Sequence, residues 1–498
     1  MEPPDKPILL AAVLGFVIIL ALLWKKRGSE IPTINYYPGD IWRRKAHAEF
    51  VSNARGLLKE GASKFQGPFR IITTLGSRVI LPPSYTEWLK NCPELSHQAL
   101  VEHEFFTAYP GMEGVRVAND PRRIFIDVVK TKLNQNSQCR VLHEHVTEVL
   151  KESWTEQKEW HTIDWSQNAM HFVGRMSASV FVGPELARNP EWQDLLITYT
   201  INMFQSVRVL RSWSDFLRPL VHWFLPECRK CRQQARLVRS MLKPLFERRA
   251  RAKAAAAGGQ KTSSKDSENT IDWIEQATAR RPLDAVGAQL GFAIAALHTT
   301  TELLRQTLLD ICAHPELIQP IRDEVKRAVD ESGWTTAGLF KMQLLDSVIK
   351  ETQRLKPGSL VNLERKATRD VRLPNGMTIP RGTDVAIDAS IMWDPAVYPD
   401  ALTHDGYRFL RLRQDGGKTA SAAALVSTSP EHAAFGMGKH ICPGRFFAAN
   451  EVKIALARIL LDYDVRIAKD CNPKIVEIGF EMLSDPSAKL EVRRRVDP

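Results

Sequence analysis

Residues 432–448, HAAFGMGKHICPGRFFA, place a single cysteine, Cys442, between a glycine-rich approach and the start of a helix. Gly436, Gly438 and Gly444 let the backbone turn tightly and let a large flat ligand come close to it. Pro443 withholds one backbone donor, and RFFAANEVKIALARILLDYDV then reads as a strong amphipathic helix. A sulfur at a helix N-terminus meets free N–H groups and the positive end of the dipole, which favour the thiolate. Burial as a small apolar residue is the ordinary fate of a free cysteine and the reading this pattern competes with.

The rest of the chain can build a large structure around that point. It has 498 residues, 44% apolar and 25% charged, the balance of a globular protein with a sizeable core. The net charge is +11, but no dense Lys/Arg run with interleaved aromatics points to nucleic acid; a membrane surface or an acidic partner suits the charge better. Seven cysteines, without tight even spacing, favour a reducing compartment. Cys228 and Cys231 form a lone CxxC with no second ligand pair, which argues against zinc. Pro7 to Trp24 is uncharged and apolar, followed by Lys25, Lys26 and Arg27. The positive residues follow the apolar run, which predicts an uncleaved anchor over residues 1–28 with the globule, 29–498, in the cytosol.

Beyond the anchor, FRIITTLGSRVILPP predicts two short strands about LGS. Residues 120–250 read as mainly helical, about 250–270 as an exposed loop, and 285 onward as a long helix apolar on nearly every side. Pro357 stops the helix containing KETQRL, and GMTIPRGTDVAIDASI returns to strand. The fold class is mostly α with small segregated β-sheets, an α+β pattern. One thiolate with no second side-chain ligand nearby fits an iron porphyrin, whose macrocycle supplies four ligands.

FGMGKHICPG resembles the haem-binding signature of the cytochromes P-450, with Phe435, Gly438, Cys442 and Gly444 at its fixed positions. KETQRL resembles the family's Glu-x-x-Arg, here Glu351 and Arg354. DGYRFLRLR resembles the loop that adds a further arginine, Arg408, and AALHTT the oxygen-side segment of the central helix. The resemblance covers essentially everything after the anchor and extends to membrane-anchored fungal members that oxidise terpenoid-type secondary metabolites. It implies haem b with Cys442 as axial thiolate. Phe435, Gly436 and Gly444 would pack around it, His440 and Arg365 would meet propionates, and Glu351, Arg354 and Arg408 would form a buried charge network. Thr299 would carry the oxygen-side hydroxyl. His298 stands where the family has an acidic residue and would relay protons in its place; Ala296 stands where it has glycine.

The implied reaction is monooxygenation of a lipophilic small molecule. The chain contains no dinucleotide or flavin fingerprint, so electrons come from outside. The resemblance names NADPH-cytochrome P-450 reductase, with cytochrome b5 as a second donor, at the endoplasmic reticulum membrane. Arg445 and Lys453 would suit docking to an acidic face. Phe292, Ile294, Leu360 and Val361 are the expected substrate contacts, within segments near 100–120, 200–225, 292–299, 358–364 and 480–484. A haem-thiolate isomerase, dehydratase or desaturase, or a haem sensor without turnover, are the rival readings.

Overall fold

The computed structural model describes residues 31–257, 268–278 and 283–496. The anchor expected over residues 1–28 lies outside them, and among the described residues no helix is long and apolar enough to cross a membrane. Seven helices position the site: α1 (His97–Phe105), α2 (Trp165–Phe181), α3 (Pro190–Arg211), α4 (Pro226–Ala257), α5 (Ala285–Ala313), α6 (Gln343–Leu355) and α7 (Arg445–Asp462). A five-stranded sheet is made by β1 (Phe69–Thr73), β2 (Gly76–Leu81), β3 (Leu95–Ser96), β4 (Val361–Ala367) and β5 (Asp384–Asp388), in the order β1-β2-β5-β4-β3. The remaining sheets are small and lie apart from it.

Helix α5 is the axis of the molecule. Its 29 residues span roughly 43 Å at 1.5 Å per residue. The Asp284 side chain caps its first turn by accepting from the Val286 N–H, and Pro315 begins the next segment. Helices α2, α3, α4, α6 and α7 all pack on it, which is why its apolar residues occupy nearly every angle. Helix α7 is buried around most of its circumference, not amphipathic as its sequence suggests. Helix α4 continues to Ala257, so the first residues of the expected 250–270 loop are helical. Cys228 and Cys231 are buried between α3 and α4, where burial raises the Cys231 thiol to about 11. Among the described residues no cluster of side chains fits a metal ion.

Helix α6 organises the chain that leads to Cys442. The Arg354 guanidinium donates twice to the Glu351 carboxylate, at 2.8 Å each, and to the carbonyl of Ala401. Arg408 donates to the same carboxylate at 3.1 Å and to the Pro399 carbonyl. All three are buried, so each charge depends on the others. The neighbouring Lys350 is fully buried too. Its ammonium donates to the carbonyls of Ala422 and Ala424 at 2.8 Å and of Ser427 at 2.9 Å, gathering the strap that precedes the cysteine loop. Replacing Lys350 by methionine leaves those carbonyls without a donor. At ~1–3 kcal/mol for each buried unsatisfied group, the variant is expected to lose about 3 kcal/mol or more in denaturant unfolding. An unchanged midpoint would remove the clamp from the account.

Candidate active site

The cysteine loop is fixed by its glycines and by one backbone bond. Gly436 has φ +70°, and a Cβ there would meet the His440 carbonyl at 3.2 Å, so this position accepts little else. The Cys442 N–H donates to the Phe435 carbonyl at 2.8 Å and closes the loop. Helix α7 begins at Arg445 with Gly444 at its cap, three residues beyond the sulfur. Burial pushes the Cys442 thiol up, while the N–H groups of Gly444 and Arg445 and the Arg445 guanidinium pull it back. That guanidinium is held by the carbonyls of Val426 and Cys442.

The sulfur faces a cavity of about 710 Å³, walled mostly by apolar side chains. Phe435, Phe447 and Gly444 line its cysteine side, α5 supplies Ala295, Ala296, His298 and Thr299, and α3 supplies Ile201, Phe204 and Arg208. The Thr299 hydroxyl opens on the cavity and donates to the Ala295 carbonyl at 2.8 Å. Helix α5 passes Ala296 without interruption. The His298 Nε2 lies 2.8 Å from the Thr200 hydroxyl on α3, and burial followed by the Arg305 charge lowers the ring to about 4. Of the expected substrate contacts Phe292 lines the cavity. Leu360 and Val361 instead pack under the sheet, Ile294 packs against Gly114, and no residue from 100–120 reaches the lining among the described residues.

A second feature stands beside the loop. Strand β4 slips register against β5 between Asn362 and Arg365, with Leu363 at φ +48°. Such bulges re-aim a side chain, and here the re-aimed residue is Arg365. It is buried, and burial holds its guanidinium down to about 10. The other buried arginines, Arg78, Arg175, Arg354 and Arg408, each meet a carboxylate; Arg365 forms no ion pair among the described residues. His440 lies against His97, ring centroids 5.5 Å apart, and burial, Arg365 and His97 together lower it to about 3. The Arg365 guanidinium donates to the Glu364 carbonyl at 2.7 Å, and a buried cation without an ion pair would suit carboxylates.

The cytochrome P450 family model matches residues 113–492. The chain is 38% identical over 496 residues to cytochrome P450 monooxygenase adrA of Penicillium rubens, covering 98% of this chain and 96% of that one. It is 40% identical over 458 residues to monooxygenase pyr3 of Aspergillus fumigatus, covering 92% and 88%. It is also 40% identical over 469 residues to monooxygenase trt6 of Aspergillus terreus, covering 93% and 94%. The chain belongs to the cytochrome P450 family. It is a monooxygenase whose cofactor is haem b with a cysteine thiolate as axial ligand.

The residues present fit that group. A cysteine at a helix N-terminus lines the cavity, a glycine-rich loop would let a flat ring approach the backbone, and the Arg365 guanidinium would offer charge to propionates. Thr299, His298, Cys442, Phe435 and Gly444 share the cavity lining, Gly436 shapes the loop, and His440 and Arg365 flank it. His97 and Thr200 were not legible in sequence, because their partners come from strand pairing and helix packing over long separations. Lys453, expected as a docking charge, is buried and ion-paired with Asp346, so it offers nothing to a partner.

Proposed function

We propose that the chain oxidises a lipophilic secondary metabolite of terpenoid or meroterpenoid type at the endoplasmic reticulum membrane, with Cys442 as the thiolate ligand and electrons from NADPH-cytochrome P-450 reductase, with cytochrome b5 as a second donor. The observation that carries it is the mostly apolar cavity with a helix-terminal sulfur on one side and a threonine hydroxyl on the other. When bound, haem supplies dioxygen activation and insertion of one oxygen atom into an unactivated C–H bond.

The chain's own residues do the rest. Cys442 donates as an anion, stabilised by the Gly444 and Arg445 N–H groups. Arg365 with His97 and His440 would hold the propionates, and the bulge at Leu363 presents the guanidinium. Phe435 and Phe447 exclude water from the sulfur side. The Thr299 hydroxyl moves a proton at Oγ1 between cavity water and the oxygen side. Residues 1–28 are the anchor and 29–498 the catalytic domain; the apolar run ending in Trp24, Lys25, Lys26 and Arg27 supports this.

Three outcomes test the reading. The reduced carbon-monoxide adduct should show the red-shifted Soret band of thiolate ligation, and Cys442→Ser should abolish it; an unshifted wild-type band ends the proposal. Thr299→Ala should keep that band and divert reducing equivalents to peroxide, lowering product per NADPH about 10-fold or more; full coupling would remove Thr299 from the proton path. Deleting residues 1–28 should move the chain from the carbonate-washed membrane pellet to the supernatant, and retention in the pellet would place the anchor elsewhere.

A further inference from the structure

His298 is locked by a relay that fixes where its proton sits. The Thr200 hydroxyl lies 2.8 Å from the Ile197 carbonyl and 2.8 Å from His298 Nε2. A carbonyl only accepts and a hydroxyl has one hydrogen. Thr200 therefore donates to Ile197, and the imidazole must donate to Thr200. Nε2 carries the proton and Nδ1 the lone pair. Phe204 stands edge-on to the ring at 5.3 Å and holds its plane. Nδ1 has no protein partner among the described residues, and His298 is part of the cavity lining.

The geometry points to His298 as a specificity-determining residue whose Nδ1 accepts a hydrogen bond from a substrate hydroxyl, so that the favoured substrates are lipophilic alcohols. This rests on the cavity being the substrate site. Other polar groups share that wall: the Glu302 carboxylate accepts from Ser484 and Gln306, Arg208 pairs with Glu481, Thr299 donates to Ala295 and keeps its lone pairs, and the Gln353 amide oxygen has no partner among the described residues. Burial keeps the imidazole neutral near pH 7, which preserves the lone pair. A neutral acceptor also suits an apolar wall better than a carboxylate, whose desolvation is more costly. The relay gives His298 a task other than moving protons: its one N–H is held by α3.

Matched ligand pairs test this in the full-length holoenzyme. Drimenol and dehydroabietol, each beside its O-methyl ether, are measured by equilibrium dialysis. Each alcohol should bind about 10-fold more tightly than its ether, the worth of one net hydrogen bond. His298→Phe should erase the preference, and His298→Gln, whose amide oxygen restores an acceptor, should recover part of it. Thr200→Val, which frees the ring to turn, should shrink it and serves if the phenylalanine variant does not fold. A wild type in which no alcohol outbinds its ether overturns the proposal, as does a preference that survives both His298→Phe and Thr200→Val. Dialysis does not depend on the carbon-monoxide band, so failure here and failure of the Cys442 reading are separate results.

Discussion

The constraint the rest of the molecule answers to is a sulfur that would have to serve as an anion inside an apolar cavity. Burial opposes the charge at Cys442, and the opposing help is local: two N–H groups at the head of α7 and one guanidinium. Those groups act only if the loop holds its shape within tenths of an ångström. The shape rests on Gly436 at positive φ, on the bond from the Cys442 N–H to the Phe435 carbonyl, and on Arg445 tying the helix start to Val426.

Behind the loop, the protein uses buried charge as scaffold. Arg354 and Arg408, both held by the Glu351 carboxylate, fasten the carbonyls of residues 392–403, and Lys350 fastens those of 422–427. Both sets are anchored on the consecutive α6 residues Lys350 and Glu351, with Arg408 reaching in from the helix Arg408–Gln414. Irregular backbone that would otherwise bury unpaired carbonyls thus receives donors held in place by one helix. Arg365 is the exception: a buried guanidinium with no ion pair among the described residues, held by the Glu364 carbonyl, would gain from an anion supplied from outside the chain.

Local pattern made much of this legible and long-range pairing hid the rest. The all-round apolarity of 285–313, the stop at Pro357 and the strand pair about LGS follow from period and turn chemistry within a short window. The cysteine loop is equally local. Lys453 misleads because a lysine on an apparently amphipathic helix reads as surface, while its partner Asp346 lies far away in sequence. His97 comes beside the Glu364–Arg365 end of β4 because β3 pairs with β4, and His440 meets it there from the cysteine loop, separations that no periodicity encodes. The same holds for Leu360 and Val361, whose apolar character fits a cavity wall and a sheet core equally well.

The departures on α5 form one local design. Alanine at 296 leaves the helix continuous, so its hydrogen bonds stay within the helix and offer little to a ligand. The Thr299 hydroxyl already satisfies the Ala295 carbonyl, and its remaining lone pairs open on the cavity. Histidine at 298 turns its N–H outward to Thr200 and tethers α5 to α3, the helix that roofs the cavity with Ile201, Phe204 and Arg208. A carboxylate at that position could be tethered only by taking the Thr200 hydrogen away from Ile197, whereas the imidazole N–H leaves that bond in place. Tether and lone pair come from one ring, and the roof is therefore fixed by the residue that reads what lies beneath it.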